Sequence, residues 1–91
     1  MTHDEIVAVL VSYLRETSPL ARERGQMPLH QSLYELGILD SFGIVELVAF
    51  IESRWSIDIL DSELTKEMFS GIDKMARLIG NKTKSKPISA L

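Results

Sequence analysis

Residues 41–55, Ser-Phe-Gly-Ile-Val-Glu-Leu-Val-Ala-Phe-Ile-Glu-Ser-Arg-Trp, carry more apolar surface than a helix with one buried stripe can use. Ile44, Leu47, Val48, Ile51 and Trp55 form a wide stripe at helical spacing, while Phe42, Val45, Ala49 and Glu52 follow a second edge. Such a helix lies centrally between other helices, or leaves part of its apolar surface exposed for contact. The two arrangements can coexist, with the start of the helix exposed and its end buried. The remaining elements have to be arranged around it.

The start of this helix is marked by Asp40. A short carboxylate at the N-cap accepts the amide bonds that the first turn cannot make internally. Ser41 then becomes the first helical residue, with its hydroxyl pointing outwards. On spacing alone, Asp40-Ser41 reads as a helix start and nothing more. Gly43 costs about 0.5–1 kcal/mol relative to Ala inside a helix. It is either tolerated near a frayed end or valued for the space left by its missing side chain.

The rest of the chain reads as further helices. Thr2 and Glu5 match a capping box, so a first helix should begin at residue 2 or 3 and end near Glu16. Ile6, Val7, Leu10, Val11 and Leu14 supply its core stripe, and Thr17-Ser18-Pro19 ends it. From Pro19 to Gly37 periodicity is weak, and Arg22-Glu23-Arg24 suggests a solvated turn of helix. Leu29, Leu33, Leu36 and Leu39 are spaced to reach back to the core. A loop of this length has to pack against its surroundings.

Beyond Trp55, Ile57 and Ile59 alternate like a strand that has no partner, which predicts an extended loop with both side chains in the core. Asp61 or Ser62 should cap a short helix through Glu67. Ser70 and Asp73 then open a last helix with the stripe Ile72, Met75, Ala76 and Ile79, stopped by Gly80-Asn81. The pattern predicts an all-α fold, a small four-helix bundle of three longer helices and one short helix, with a long loop between helices 1 and 2. Residues 1–80 would form the domain and 81–91 a flexible basic tail.

The run Leu36-Gly37-Ile38-Leu39-Asp40-Ser41-Phe42, followed by an apolar helix containing Glu46, closely resembles the modification site of the acyl and peptidyl carrier protein family. The resemblance extends roughly from Leu33 to Ile79. It includes the long first loop, and it lacks the proline common in relatives near the position of Leu60. The segment Glu63-Leu64-Thr65-Lys66-Glu67-Met68-Phe69-Ser70-Gly71-Ile72 looks most like stand-alone aminoacyl and D-alanyl carriers.

This resemblance implies a 4'-phosphopantetheine arm attached to Ser41, with Asp40 read by the modifying enzyme. It implies as partners a phosphopantetheinyl transferase, an adenylating ligase or acyltransferase that loads the arm, and a downstream condensing or transfer enzyme. It makes Phe42, Ile44, Glu46, Leu47 and Glu52 the docking residues. Ser53 and Arg54 stand where many fatty-acid carriers have further acids, so docking would rely less on charge. An aminoacyl group is the first expectation for the cargo, and a fatty or polyketide acyl group the second. A monomer is expected, because a presenting domain needs access from several sides.

Composition narrows the alternatives. The first 80 residues hold 13 acidic and 7 basic side chains, a net charge of -6, with the other three lysines at positions 82, 84 and 86. An acidic domain is a poor partner for nucleic acid, which wants a concentrated basic surface. With no cysteine, packing alone must hold the fold, in keeping with a reducing compartment. No secretory signal or membrane-spanning run is visible, and a cytoplasmic location is expected.

His3 and His30 have no metal-ligand or triad context in the sequence, and no glycine-rich phosphate loop appears. Ser41 has no sequence-local base to make it a nucleophile. The chain is expected not to be an enzyme. The competing reading is an unmodified helical interaction module with the same fold.

Overall fold

A computed structural model describes residues 2–65 and 68–84. It is all-α, with four helices: α1 His3–Thr17, α2 Pro19–Glu23, α3 Ser41–Trp55 and α4 Ile72–Lys84, plus a 3-10 turn at Asp61–Glu63. Three helices are long and one is short, in line with the expected bundle. The short α-helix lies at Pro19–Glu23, inside the long connection between α1 and α3. Among the described residues between Leu60 and α4, the 3-10 turn at Asp61–Glu63 is the one regular element. The expected continuation through Lys66 and Glu67 lies outside the described residues.

The ends of α1 follow from local chemistry. The Glu5 amide donates to Thr2 Oγ1 at 3.2 Å, and the Thr2 amide donates to a Glu5 carboxylate oxygen at 2.9 Å, closing the capping box. Ser18 ends α1 and also caps α2, accepting the Ala21 amide at 3.4 Å. Pro19 therefore stops one helix and occupies the first position of the next, where its missing amide costs nothing. Arg15 ties the two together, donating to the carbonyl oxygens of Ala21, Arg24 and Gly25 at 2.8–3.3 Å.

The helices and the connections between them share one core. Ile6, Leu10 and Leu14 of α1 meet Leu47, Ile51 and Trp55 of α3 and Ile72, Met75, Ala76 and Ile79 of α4. The long connection adds Leu33, Ile38 and Leu39 to this core, with Leu29 and Leu36 packed at its edge. Fully burying such a side chain stabilises by about 1.5–3 kcal/mol, which is why a loop with three of them stays in place. Ile57 and Ile59 are also buried, as their alternation predicts. Ser56, in the left-handed region at φ 53°, turns the chain at the end of α3 to aim them inwards.

The end of α4 departs from expectation. Gly80-Asn81 does not stop the helix, which continues to Lys84. The Lys82 ammonium lies 2.8 Å from Glu63 Oε1 and joins this last turn to the 3-10 turn. Residues 85–91, which make up most of the expected tail, lie outside the described residues. The first turn of α4 is capped from a distance, with the Asp73 amide donating to the Leu29 carbonyl oxygen at 3.0 Å.

Candidate functional site

The approach to α3 is a hydrogen-bonded turn. The Leu36 amide donates to Ser32 O, the Gly37 amide to Tyr34 O, and the amides of Ile38 and Leu39 both to Leu33 O, all at 3.0–3.1 Å. Gly37 has φ +76°, a conformation that glycine takes without strain, and it lets the chain reverse here. Ile38 and Leu39 then plunge into the core and leave Asp40, Ser41 and Phe42 exposed at the helix end.

The Asp40 carboxylate accepts the Gly43 amide at 2.7 Å, and its carbonyl oxygen accepts the Ile44 amide at 2.9 Å. Among the described residues, nothing accepts the amides of Ser41 and Phe42, and no hydrogen bond holds the Ser41 hydroxyl. The helix thus ends in an exposed hydroxyl beside two open backbone donors at its positive end. Such an end suits an anionic group.

Gly43 is tied to this geometry more closely than its sequence suggested. A Cβ there would lie 3.2 Å from Asp40 Oδ1 and 3.3 Å from Leu39 Cδ2. Glycine lets the capping carboxylate close tightly on the first turn.

Two hollows flank the helix end. One, of about 270 Å³, is lined by Tyr13, Thr17, Asp40, Phe42, Gly43 and Glu46 among others. Burial raises the pKa of the Tyr13 phenol, and the Glu46 carboxylate adds to this. The other is a wide, mainly apolar groove of about 1140 Å³, formed by Tyr34, Leu36, Ile44, Leu64 and Phe69 with polar residues at its rim. Phe42 is 70% exposed and Val45 66%, an unusual display for two apolar side chains one turn apart.

The residues expected to dock partners therefore separate. Phe42 and Glu46 are exposed close to Ser41, and Ile44 is half-buried at the groove. Leu47 is wholly buried and belongs to the core, so its side chain has no surface to offer a partner. Glu52 turns back on the loop after α3, where its carboxylate accepts the Ile59 amide at 2.9 Å. Val45, on the same edge as Phe42, takes the exposed position that Leu47 cannot. The two-edge pattern of the helix contained that signal, but not which edge faced water.

Among the described residues, no three His, Cys, Asp or Glu side chains are placed to hold a metal ion, and no helix is long and apolar enough to cross a membrane. His3 is bonded to Asp73 at 2.8 Å.

No family model matches the chain. Among curated proteins it is similar to a D-alanyl carrier protein of Streptococcus suis (strain 05ZYH33), with 36% identity over 47 residues. The match covers 52% of this chain and 60% of the relative's length.

Proposed function

We propose that this chain is a carrier protein whose Ser41 is modified with 4'-phosphopantetheine and presents an aminoacyl or acyl thioester to partner enzymes. One observation carries the reading: the exposed, unbonded Ser41 hydroxyl stands at the open N-terminus of a helix capped by Asp40. The similarity to the D-alanyl carrier protein supports it and makes an amino acid the first candidate cargo.

In this reading Ser41 Oγ is the attachment atom, and the amides of Ser41 and Phe42 are the donors nearest to the ester phosphate. Once attached, the arm supplies a terminal thiol that holds the cargo as a thioester. The protein contributes a fixed anchor point and a readable surface. Asp40 shapes that anchor by closing the first turn. Its negative charge is better suited to recognition by a phosphopantetheinyl transferase than to stabilising a phosphate.

Phe42, Val45, Ile44 and Glu46 form the surface that the transferase, the loading ligase or acyltransferase and the downstream transfer or condensing enzyme would meet. The domain acts as a monomer in the cytoplasm in this reading.

Intact mass spectrometry after incubation with coenzyme A and a broad-specificity phosphopantetheinyl transferase tests the proposal. The expected result is an increment of one phosphopantetheine on the wild type and none on Ser41→Ala. No increment with any of several transferases would favour the unmodified interaction module instead.

A further inference from the structure

A helix as short as α2 cannot hold itself, and hydrogen bonds in both directions fix it to α1. Arg15 of α1 donates to the carbonyl oxygens of Ala21, Arg24 and Gly25, and Arg22 of α2 donates back to those of Arg15 and Glu16 at 3.1 and 3.2 Å. Ser18, the shared cap, is buried, and Ala21 is wholly buried. The corner formed by α1 and α2 is therefore a firm bracket.

Leu20 projects from that bracket. Half of its side chain is exposed, so the core does not account for it. Its Cδ1 lies 3.4 Å from the point where a Cβ on Gly37 would stand, and apart from the two chain neighbours of Gly37 no other residue comes within 4 Å of that point. Gly37 is where the chain reverses, four residues before Ser41, and it has no side chain with which to anchor itself. Among the described residues α2 packs against α1 and not against α3. The corner and the start of α3 meet across the 270 Å³ hollow, lined by Thr17, Ser18 and Pro19 from one and by Asp40, Phe42 and Gly43 from the other. Any hold of α2 on Ser41 thus passes through the Gly37 turn.

We propose that Leu20 is a positioning residue for the modification of Ser41, propping the Gly37 turn against the bracket and so fixing the direction in which Asp40 and Ser41 enter α3. The proposal rests on the reading of Ser41 as the attachment point. Burial of Ile38 and Leu39, whose amides share the Leu33 carbonyl oxygen, sets how deep the turn sits. The sideways contact from Leu20 sets its tilt. In the modification, the bond from Ser41 Oγ to phosphorus forms as the bond joining phosphopantetheine to the adenosine bisphosphate of coenzyme A breaks, and the hydroxyl proton leaves through the transferase to solvent. Such a displacement needs the attacking oxygen aligned at about 3–3.5 Å, and a misplacement of about 1 Å costs about 100-fold.

The test compares full-length wild type, Leu20→Ala and Leu20→Met. Protection of the Gly37, Ile38 and Leu39 amides from exchange should fall by about 3- to 10-fold in Leu20→Ala, with α1 and α4 unchanged, and Leu20→Met should restore it. In steady-state modification with coenzyme A and a transferase, kcat should fall by about 3- to 10-fold in Leu20→Ala, with KM for the carrier within about twofold, and Leu20→Met should again restore it.

A rise in KM alone would make Leu20 a docking contact and overturn the proposal. Wild-type protection at 37–39 in Leu20→Ala would overturn it too, as would an equal loss of protection in every helix, the mark of a stability contact only. Failure of several transferases to modify the wild type would remove the carrier reading and this proposal together. A modified wild type with kcat unchanged in Leu20→Ala would remove this proposal alone.

Discussion

The Asp40 carboxylate holds the Gly43 amide at 2.7 Å, and a side chain on Gly43 would press on that same carboxylate oxygen from 3.2 Å. The two residues form one device at the start of α3, and Ser41 sits between them in sequence. This pairing separates two roles that Asp40 combines. One is structural, closing the first turn, and the other is its charge.

Asparagine caps about as well as aspartate. Asp40→Asn should therefore leave thermal stability nearly unchanged, whereas Asp40→Ala should lower it by about 1 kcal/mol. If Asp40 is read by charge, both variants should be modified at Ser41 more slowly than wild type in a mass-spectrometric time course. Slowing in the alanine variant alone would assign Asp40 to the cap only.

Glu46 and Glu52 were equivalent acids in the sequence, and the fold makes them different. Removing the Glu52 carboxylate leaves the Ile59 amide without its acceptor, so Glu52→Ala should cost about 1–2 kcal/mol in chemical denaturation. Glu46→Lys should leave the unfolding midpoint almost unmoved. Its effect should appear in partner affinity and its salt dependence, measured by calorimetry. No change in either would remove Glu46 from the docking surface.

Gly71 and Gly80 predict opposite responses to alanine. At Gly71 a Cβ would meet backbone at 2.6 Å, so Gly71→Ala must push the Leu29 segment away and destabilise by about 1–3 kcal/mol. At Gly80 the nearest atom is Ile6 Cδ1 at 3.7 Å, an ordinary contact within a continuing helix. Gly80→Ala should stabilise by about 0.5–1 kcal/mol, read from urea unfolding.

Acid should loosen the end of α4. The Lys82 side chain first, and then the Leu60 amide, hold the Glu63 carboxyl below its ordinary value of 4.5. Because the folded value is the lower one, this contribution is present above 4.5 and lost as pH falls through the lowered value. Lys82→Met should flatten the fall in thermal midpoint across that window. An unchanged acid limb in the variant would show that the pair adds nothing to stability.

Local signals are legible where a residue and its partner lie within one or two turns. Thr2 and Glu5 announced α1, Asp40 announced α3, and the alternation of Ile57 and Ile59 announced a buried extended segment. Ser18-Pro19 was half legible. Its role as a stop was plain, but serine before proline is also a helix start, and α2 uses it so.

Where local pattern and fold part, the cause is one. Leu47 looked like its neighbours on an apolar helix, and only its burial in the shared core decided that it faces inwards while Val45 faces out. Gly80 looked like a terminator, yet α4 runs on to Lys84 with Lys82 tied to Glu63. Glu52 looked like a surface acid because its acceptor role depends on a loop turned back by Ser56.

The sequence by itself determined the three long helices, the N-caps of α1 and α3 and the exposed hydroxyl at Asp40-Ser41, because periodicity and capping act between residues a few positions apart. The tertiary structure alone decided which apolar residues stay in water, which acid is used up within the fold, and that His3 meets Asp73. Those outcomes depend on how helices are rotated against each other and on contacts across tens of residues, which no local pattern encodes.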